Sequence, residues 1–76
     1  MKIKVKNNEL RKMLLKKGFS QLKLANKANI SRAYLNQIIN GDRCPGAEVA
    51  KNILDTLGLE FDDIFFIDDA NKSELS

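Results

Sequence analysis

Four side chains between residues 32 and 37 have types and spacing suited to molecular recognition, three through hydrogen bonds and one through a methyl group: Arg32, Asn36, Gln37 and Ala33. Arg32 and Asn36 are four residues apart, as are Ala33 and Gln37, and residues at that spacing share one side of an α-helix. A guanidinium can donate two hydrogen bonds to guanine, a carboxamide can bond adenine in a similar way, and a methyl group can contact thymine. This side of a helix would therefore be able to read the edges of nucleic-acid bases.

A helix and a sharp turn must precede this recognition segment. Ser20 is a favoured N-cap, because its hydroxyl can accept a hydrogen bond from an otherwise unpaired backbone N–H. Apolar and small residues then recur at helical spacing: Leu24, Ala25 and Ala28. Asn29 tolerates the left-handed conformation that a sharp reversal needs. The sequence therefore predicts a helix over residues 20–28 with a turn directly after it.

The recognition segment itself begins after Ser31, which is a second good N-cap. Leu35 and Ile38 would be buried on the side of the helix away from the polar residues. Gly41 can end the helix by adopting a positive φ without a Cβ clash. Residues 20–40 are thus predicted to form a helix, a tight turn and a second helix.

This block resembles the helix-turn-helix of the Cro and phage-repressor class, also called the XRE family, and the resemblance covers residues 8–65. The matching positions are Ser20-Gln21, Leu24-Ala25, Ile30-Ser31, Leu35, Ile38, Asn40-Gly41, Arg43, Pro45 and Leu57-Gly58-Leu59. Asn29 replaces a usual Gly, and Leu22 replaces a usual polar residue. Ile39 replaces a usual Glu, which either extends the core, the favoured interpretation, or moves apolar surface outward. The resemblance implies an all-α fold, a compact lambda-repressor-like DNA-binding domain of four to five helices.

The resemblance also implies two groups of residues that bind double-stranded DNA. The first group lies on the second helix, enters the major groove and contacts bases: Arg32, Ala33, Asn36 and Gln37. The second group contacts phosphates and fixes the position on the duplex: Gln21, Ser31, Tyr34, Asn40 and Arg43. Tyr34 has an alternative, in which its ring turns into the edge of the core.

Charge is distributed unevenly along the chain, whose net charge is +3. Residues 1–43 hold eleven Lys and Arg against two acids, giving +9, whereas residues 44–76 hold two Lys against eight acids, giving −6. A field of one sign over one half attracts a polyanion, and the acidic half should face away from it. The alternative is that the lysines only form a solvated face.

Further elements are predicted outside the helix-turn-helix. A first helix is expected over residues 8–17, capped by Asn7 or Asn8, a fourth that follows Pro45 and runs to residue 57, and a short turn over residues 61–64. Residues 2–6 alternate polar and apolar side chains, and residues 65–67 are a run of strand-favouring residues. These two segments can pair as a small antiparallel ribbon within the chain or across a dimer.

Length and composition limit the possible functions. A chain of 76 residues allows one domain, expected over residues 1–67, with a disordered acidic tail over residues 68–76. With no His and the single Cys44, no zinc site, cofactor or internal disulfide is expected. The sequence also lacks a Gly-rich phosphate loop and a general base near Cys44, so no enzyme activity is expected. Without a membrane-spanning run or a secretion signal, we expect a cytoplasmic protein with no membrane association.

The leading hypothesis is a sequence-specific transcription regulator, acting as a repressor. One recognition helix covers few base pairs, so a homodimer on a pseudo-palindromic operator is expected, joined through residues 57–67 or a terminal strand. Repression rather than activation follows from the family alone. The alternative hypothesis is an antitoxin or adaptor that binds a protein partner through its apolar C-terminal half.

Overall fold

The computed structural model describes residues 1–69, which form five helices and two strands. In chain order these are β1 Lys2–Val5, α1 Asn7–Lys17, α2 Gln21–Ala28, α3 Arg32–Ile39, α4 Ala47–Leu57, α5 Phe61–Ile64 and β2 Phe65–Asp68. The predicted fold class is confirmed, since the helices build the domain and the two strands pair as one small antiparallel ribbon. Within the described residues, no helix has both the length and the apolar character needed to cross a bilayer.

Local capping explains where α2 and α3 begin and how they are joined. The Ser20 hydroxyl accepts a hydrogen bond from the backbone N–H of Lys23, and the Ser31 hydroxyl accepts one from that of Tyr34, both at 3.0 Å. Asn29 ends α2 in the left-handed conformation with φ of 62°. Among residues 1–69 it is the one non-glycine residue with positive φ. The turn predicted from the sequence is therefore confirmed in place and in conformation.

The core lies where α2 packs against α3 and α4, with α1, α5 and the ribbon closing its sides. The largest fully buried side chains come from every element except the first strand: Leu10, Leu24, Leu35, Ile38, Ile39, Ile53, Ile64 and Phe65. Ala25 is 1% exposed, and its small side chain lets α2 approach its neighbours closely. Ile39 is in the core, as expected.

The first helix begins differently from the prediction. Its N-cap is Lys6, which makes no side-chain capping bond, and Asn7 is already the first helical residue. Neither Asn7 nor Asn8 caps the helix, because both already lie inside it, and the Asn7 amide is used elsewhere. It donates to the backbone carbonyl of Ile39 at 2.7 Å, so it supports the end of α3 instead.

Two other boundaries also differ by one or two residues. Helix α4 follows Pro45 as predicted, but it begins two residues later, at Ala47, with Gly46 as its N-cap. Strand β2 continues to Asp68, one residue past the expected end of the domain at residue 67. The rest of the predicted acidic tail, residues 70–76, lies outside the described residues.

The terminal strands pair within the chain. Val5 and Phe65 are opposite each other in the antiparallel register, and both are buried against the helices. Lys6 extends the contact between the two chain ends beyond the ribbon. Its backbone N–H donates to the carbonyl of Ile64 and its ammonium to the carbonyl of Asp62, each at 2.7 Å. A two-stranded ribbon is marginal alone, so its stability comes from packing on the helical core.

Candidate DNA-binding site

Helix α3 has a buried side and a solvent side. Leu35, Ile38 and Ile39 are fully buried, and they anchor the helix on the core. The four residues predicted to contact bases are all exposed: Arg32, Ala33, Asn36 and Gln37. Within residues 1–69, the polar side chains of this group make no hydrogen bond or ion pair with the rest of the protein. Their donors and acceptors are therefore available to a ligand.

The N-termini of α2 and α3 carry two of the predicted phosphate-binding residues. Gln21 is the first residue of α2 and is half-buried, and Ser31 is the exposed N-cap of α3. The Ser31 hydroxyl accepts one hydrogen bond in its capping role, which leaves its O–H able to donate. Unpaired N–H groups and the helix dipole make such ends favourable for anions.

The Arg43 side chain, from the loop after α3, lies over the ring of Tyr34 in the first half of that helix. The loop after the helix turns back, since the backbone N–H groups of Asp42 and Arg43 both donate to the Gln37 carbonyl, at 2.8 and 3.3 Å. This places the Arg43 guanidinium 5.4 Å from the centre of the Tyr34 ring. The ring is half-buried and packs against the core, so the structure places the ring at the core edge. Stacking on the ring restricts where the exposed Arg43 can point.

Asn40 has a partner that the sequence did not indicate. The Arg11 guanidinium, from α1, donates from Nη2 to Oδ1 of Asn40 at 2.9 Å. Asn7 lies four residues before Arg11 and therefore on the same side of α1, and it bonds Ile39 next to Asn40. The sequence offered one signal for these contacts, the spacing of the two polar residues on α1. It could not identify their partners, which are 32 and 29 residues away in the chain.

The arginine side chains near α3 form no ion pair with the acids of the described residues. Three ion pairs occur among the described residues: Lys4 with Asp68, Lys12 with Glu9, and Lys51 with Asp55, at 3.9, 3.5 and 3.8 Å. None of them includes a predicted site residue or Arg11. The guanidinium groups of Arg11, Arg32 and Arg43 therefore have no ion-pair partner among the described residues and can attract an anion. In the same part of the chain, no three His, Cys, Asp or Glu side chains are grouped to hold a metal ion.

A shallow groove of about 370 Å³ lies between β1, α4 and α5. Its apolar lining includes Ile3, Leu54, Leu59 and Phe61, and none of the lining residues belongs to α2 or α3. On β2, opposite Ile3 in the ribbon register, Ile67 is 45% exposed. This second surface is separate from the polar side of α3.

Most of this chain is similar in sequence to known proteins. Residues 10–64 fit the family model described as helix-turn-helix. The chain is 43% identical over 65 residues to the uncharacterized HTH-type transcriptional regulator YqaF of Bacillus subtilis, covering 86% of this chain and 84% of that protein. It is 30% identical over 73 residues to the uncharacterized HTH-type transcriptional regulator YvzC of the same organism, covering 96% and 95%.

Two solved structures share the fold. The restriction-modification controller protein C.AhdI from Aeromonas hydrophila superposes with a TM-score of 0.70 at 24% identity, covering 75% of this chain and 86% of that one. The transcriptional regulator VanUg also gives a TM-score of 0.70, at 20% identity and 87% coverage of both chains. At these identities the likeness shows a common arrangement of helices.

Proposed function

Because this chain belongs to the helix-turn-helix family of DNA-binding transcription regulators, we propose that it is a repressor that recognises its operator through α3. The observation that carries the proposal is the two-sided character of this helix. Three core residues hold it against the domain, while four exposed side chains have no partner within the described residues. An α-helix fits the major groove of B-DNA, and a protein bound there over a promoter would exclude RNA polymerase.

The proposed base contacts follow from the chemistry of the exposed side. Arg32 is suited to guanine, the Asn36 and Gln37 amides to adenine, and the Ala33 methyl group to thymine. Each good bidentate contact contributes about 1 to 3 kcal/mol of discrimination between bases. The phosphate contacts, which fix the position on the duplex rather than the sequence read, are assigned to Gln21, Ser31, Asn40 and Arg43. Tyr34 would contribute through its hydroxyl alone, because its ring packs against the core.

The proposal includes a homodimer. One eight-residue helix contacts only a few base pairs, and two copies on half-sites about 34 Å apart would double the contacts. The apolar groove beside β1, together with Phe66 and Ile67, which are 42% and 45% exposed, supplies a surface for this pairing. An antitoxin or adaptor would use the same surface for a different protein, and it remains the second candidate on that observation.

Selection from genomic DNA tests the proposal directly. Fragments retained by the purified full chain would be sequenced and searched for a common symmetric site. We expect a pseudo-palindrome upstream of a gene, protected from nuclease at both half-sites. Absence of affinity for any duplex in dilute buffer would contradict the proposal.

Replacing Arg43 by Ala tests the phosphate contacts. We expect weaker binding to every duplex, and a slope of log K against log salt concentration that is reduced by about one unit. Lys12→Ala is the control, because Lys12 is exposed but already paired with Glu9 at 3.5 Å; its slope should match that of the unmodified protein. An unchanged slope for the Arg43 variant would show that this residue does not bind phosphate.

A further inference from the structure

Arg11 lies beside the end of the recognition helix although it belongs to α1. Its Nη2 donates to Oδ1 of Asn40 at 2.9 Å, and Asn7, on the same side of α1, donates to the carbonyl of Ile39 at 2.7 Å. These two hydrogen bonds hold the C-terminal end of α3 against α1. The position of Arg11 relative to the recognition helix is therefore defined by the fold.

The hydrogen bond from Arg11 also determines the orientation of the Asn40 amide. A guanidinium can only donate, so the amide oxygen must face Arg11 and the NH₂ group must point away from it. Asn40 is exposed, and its Nδ2 makes no hydrogen bond within residues 1–69. The NH₂ group is thus available to donate to a phosphate oxygen.

The charge on Arg11 is uncompensated. Its side chain is exposed, its partner Asn40 is a neutral amide, and no carboxylate of the described residues lies within ion-pair distance. A guanidinium has five N–H donors, and one is used here. The remaining donors form the planar fork that matches a phosphate.

We propose that Arg11 is both a positioning residue for Asn40 and a phosphate-binding residue in its own right. In this arrangement Arg11 turns the Asn40 NH₂ group outward and adds its own guanidinium beside it, so that one phosphate is bound from α1 and from the end of α3 together. The inference rests on the proposed function, since it requires α3 to lie in the major groove. It adds a contact from a helix outside the helix-turn-helix.

Two substitutions separate the charge of Arg11 from its hydrogen bond. Arg11→Gln keeps a donor for Asn40 but removes the charge, whereas Arg11→Lys keeps the charge without the planar fork. Binding of the full chain to a duplex of unrelated sequence is measured over a range of salt concentrations. We expect the Gln variant to bind about tenfold more weakly with a slope lower by about one unit, and the Lys variant to keep its slope.

Lys12→Gln is the matched control, because this neighbour on α1 loses the same charge but is already paired with Glu9. Its slope should stay unchanged. Partial unfolding of a variant lowers the active fraction and leaves the slope as it is, so the slope separates phosphate binding from a structural role. Equal slopes for the Gln and Lys variants of Arg11 would overturn the phosphate contact.

A double-mutant cycle tests the positioning role. Asn40→Ala is made in the unmodified protein and in the Arg11→Lys variant, and the loss of affinity is compared. We expect a severalfold smaller loss in the Lys background, because the amide is then no longer oriented by the fork. Equal losses of affinity in the two backgrounds would overturn the positioning role.

The outcome for the unmodified protein distinguishes failure of the inference from failure of the proposed function. If the unmodified protein binds no duplex, the proposed function fails and this inference fails with it. If it binds normally and the two losses of affinity are equal, the result counts against the positioning role of Arg11 alone.

Discussion

The proposed interface contains two kinds of side chain, which differ in hydrogen-bonding capacity and in charge. Gln37 has an amide that donates and accepts, and it is exposed on α3 with no partner among the described residues. Arg43 and Arg11 can only donate, and they carry charge. The edge of each base pair presents its own pattern of donors and acceptors, whereas the phosphate groups are the same at every base pair. Loss of the amide should therefore depend on DNA sequence, and loss of a guanidinium should not.

Replacing Gln37 by Ala is expected to weaken binding to the operator by about 1 to 3 kcal/mol and to leave binding to an unrelated duplex almost unchanged. Titration of both duplexes at one salt concentration measures the difference. Asn26→Ala is the control, since it removes an exposed amide from α2, and it should affect neither duplex. Equal losses on both duplexes would remove Gln37 from the base-contacting group.

The geometry of the helix-turn-helix depends on one backbone conformation. Asn29 has φ of 62° at the end of α2, and the residue after the next is already the N-cap of α3. Asn reaches this region more easily than other residues with a Cβ, but less easily than Gly. The angle between α2 and α3, and hence the projection of α3, follows from this turn.

Replacing Asn29 by Ala and replacing it by Gly should have different effects on the stability of the protein. Ala is expected to lower the free energy of unfolding by about 1 kcal/mol, because its Cβ disfavours positive φ, whereas Gly should be neutral or slightly stabilising. Urea unfolding followed by circular dichroism measures both. A variant with Ala that is as stable as the variant with Gly would mean that the turn has relaxed to another conformation.

The molecule as a whole has two surfaces with different properties. The polar side of α3 belongs to the basic half of the chain, which carries +9, whereas β2, α4 and α5 belong to the half that carries −6. The groove and the exposed Phe66 and Ile67 lie in the elements formed by the chain ends and α4. Separate surfaces allow one face to bind a polyanion while another binds a second copy.

Placing a charge on the apolar surface tests the dimer. Ile67→Lys should weaken self-association at least tenfold, because an unpaired ammonium would be buried in the interface; sedimentation velocity over a range of concentrations measures this. Binding to a half-site should persist while binding to the full operator weakens. Leu15→Lys is the control, since Leu15 is 83% exposed on α1 and is outside the groove. A dimer unaffected by Ile67→Lys would place the interface elsewhere.

Local features of this protein could be predicted from the sequence because they depend on near neighbours. The N-caps Ser20 and Ser31 accept hydrogen bonds from residues three positions ahead. Asn29 was predicted at the turn because Asn tolerates positive φ, and the two sides of α3 follow from helical spacing. The family resemblance then supplied the arrangement of helices. The candidate base-contacting residues were identified in this way, and their solvent exposure is consistent with the prediction.

Other features were decided only by tertiary structure, because they join residues far apart in the chain. Pairing of the terminal strands within one chain, rather than across a dimer, depends on how the helices bring the two ends together. Asn7 or Asn8 was expected to cap α1, but the approach of α3 lets the Asn7 amide donate to the Ile39 carbonyl instead. The bond from Arg11 to Asn40 spans 29 residues, and the spacing of residues along a helix determines which side chains share a face but cannot determine what packs against that face.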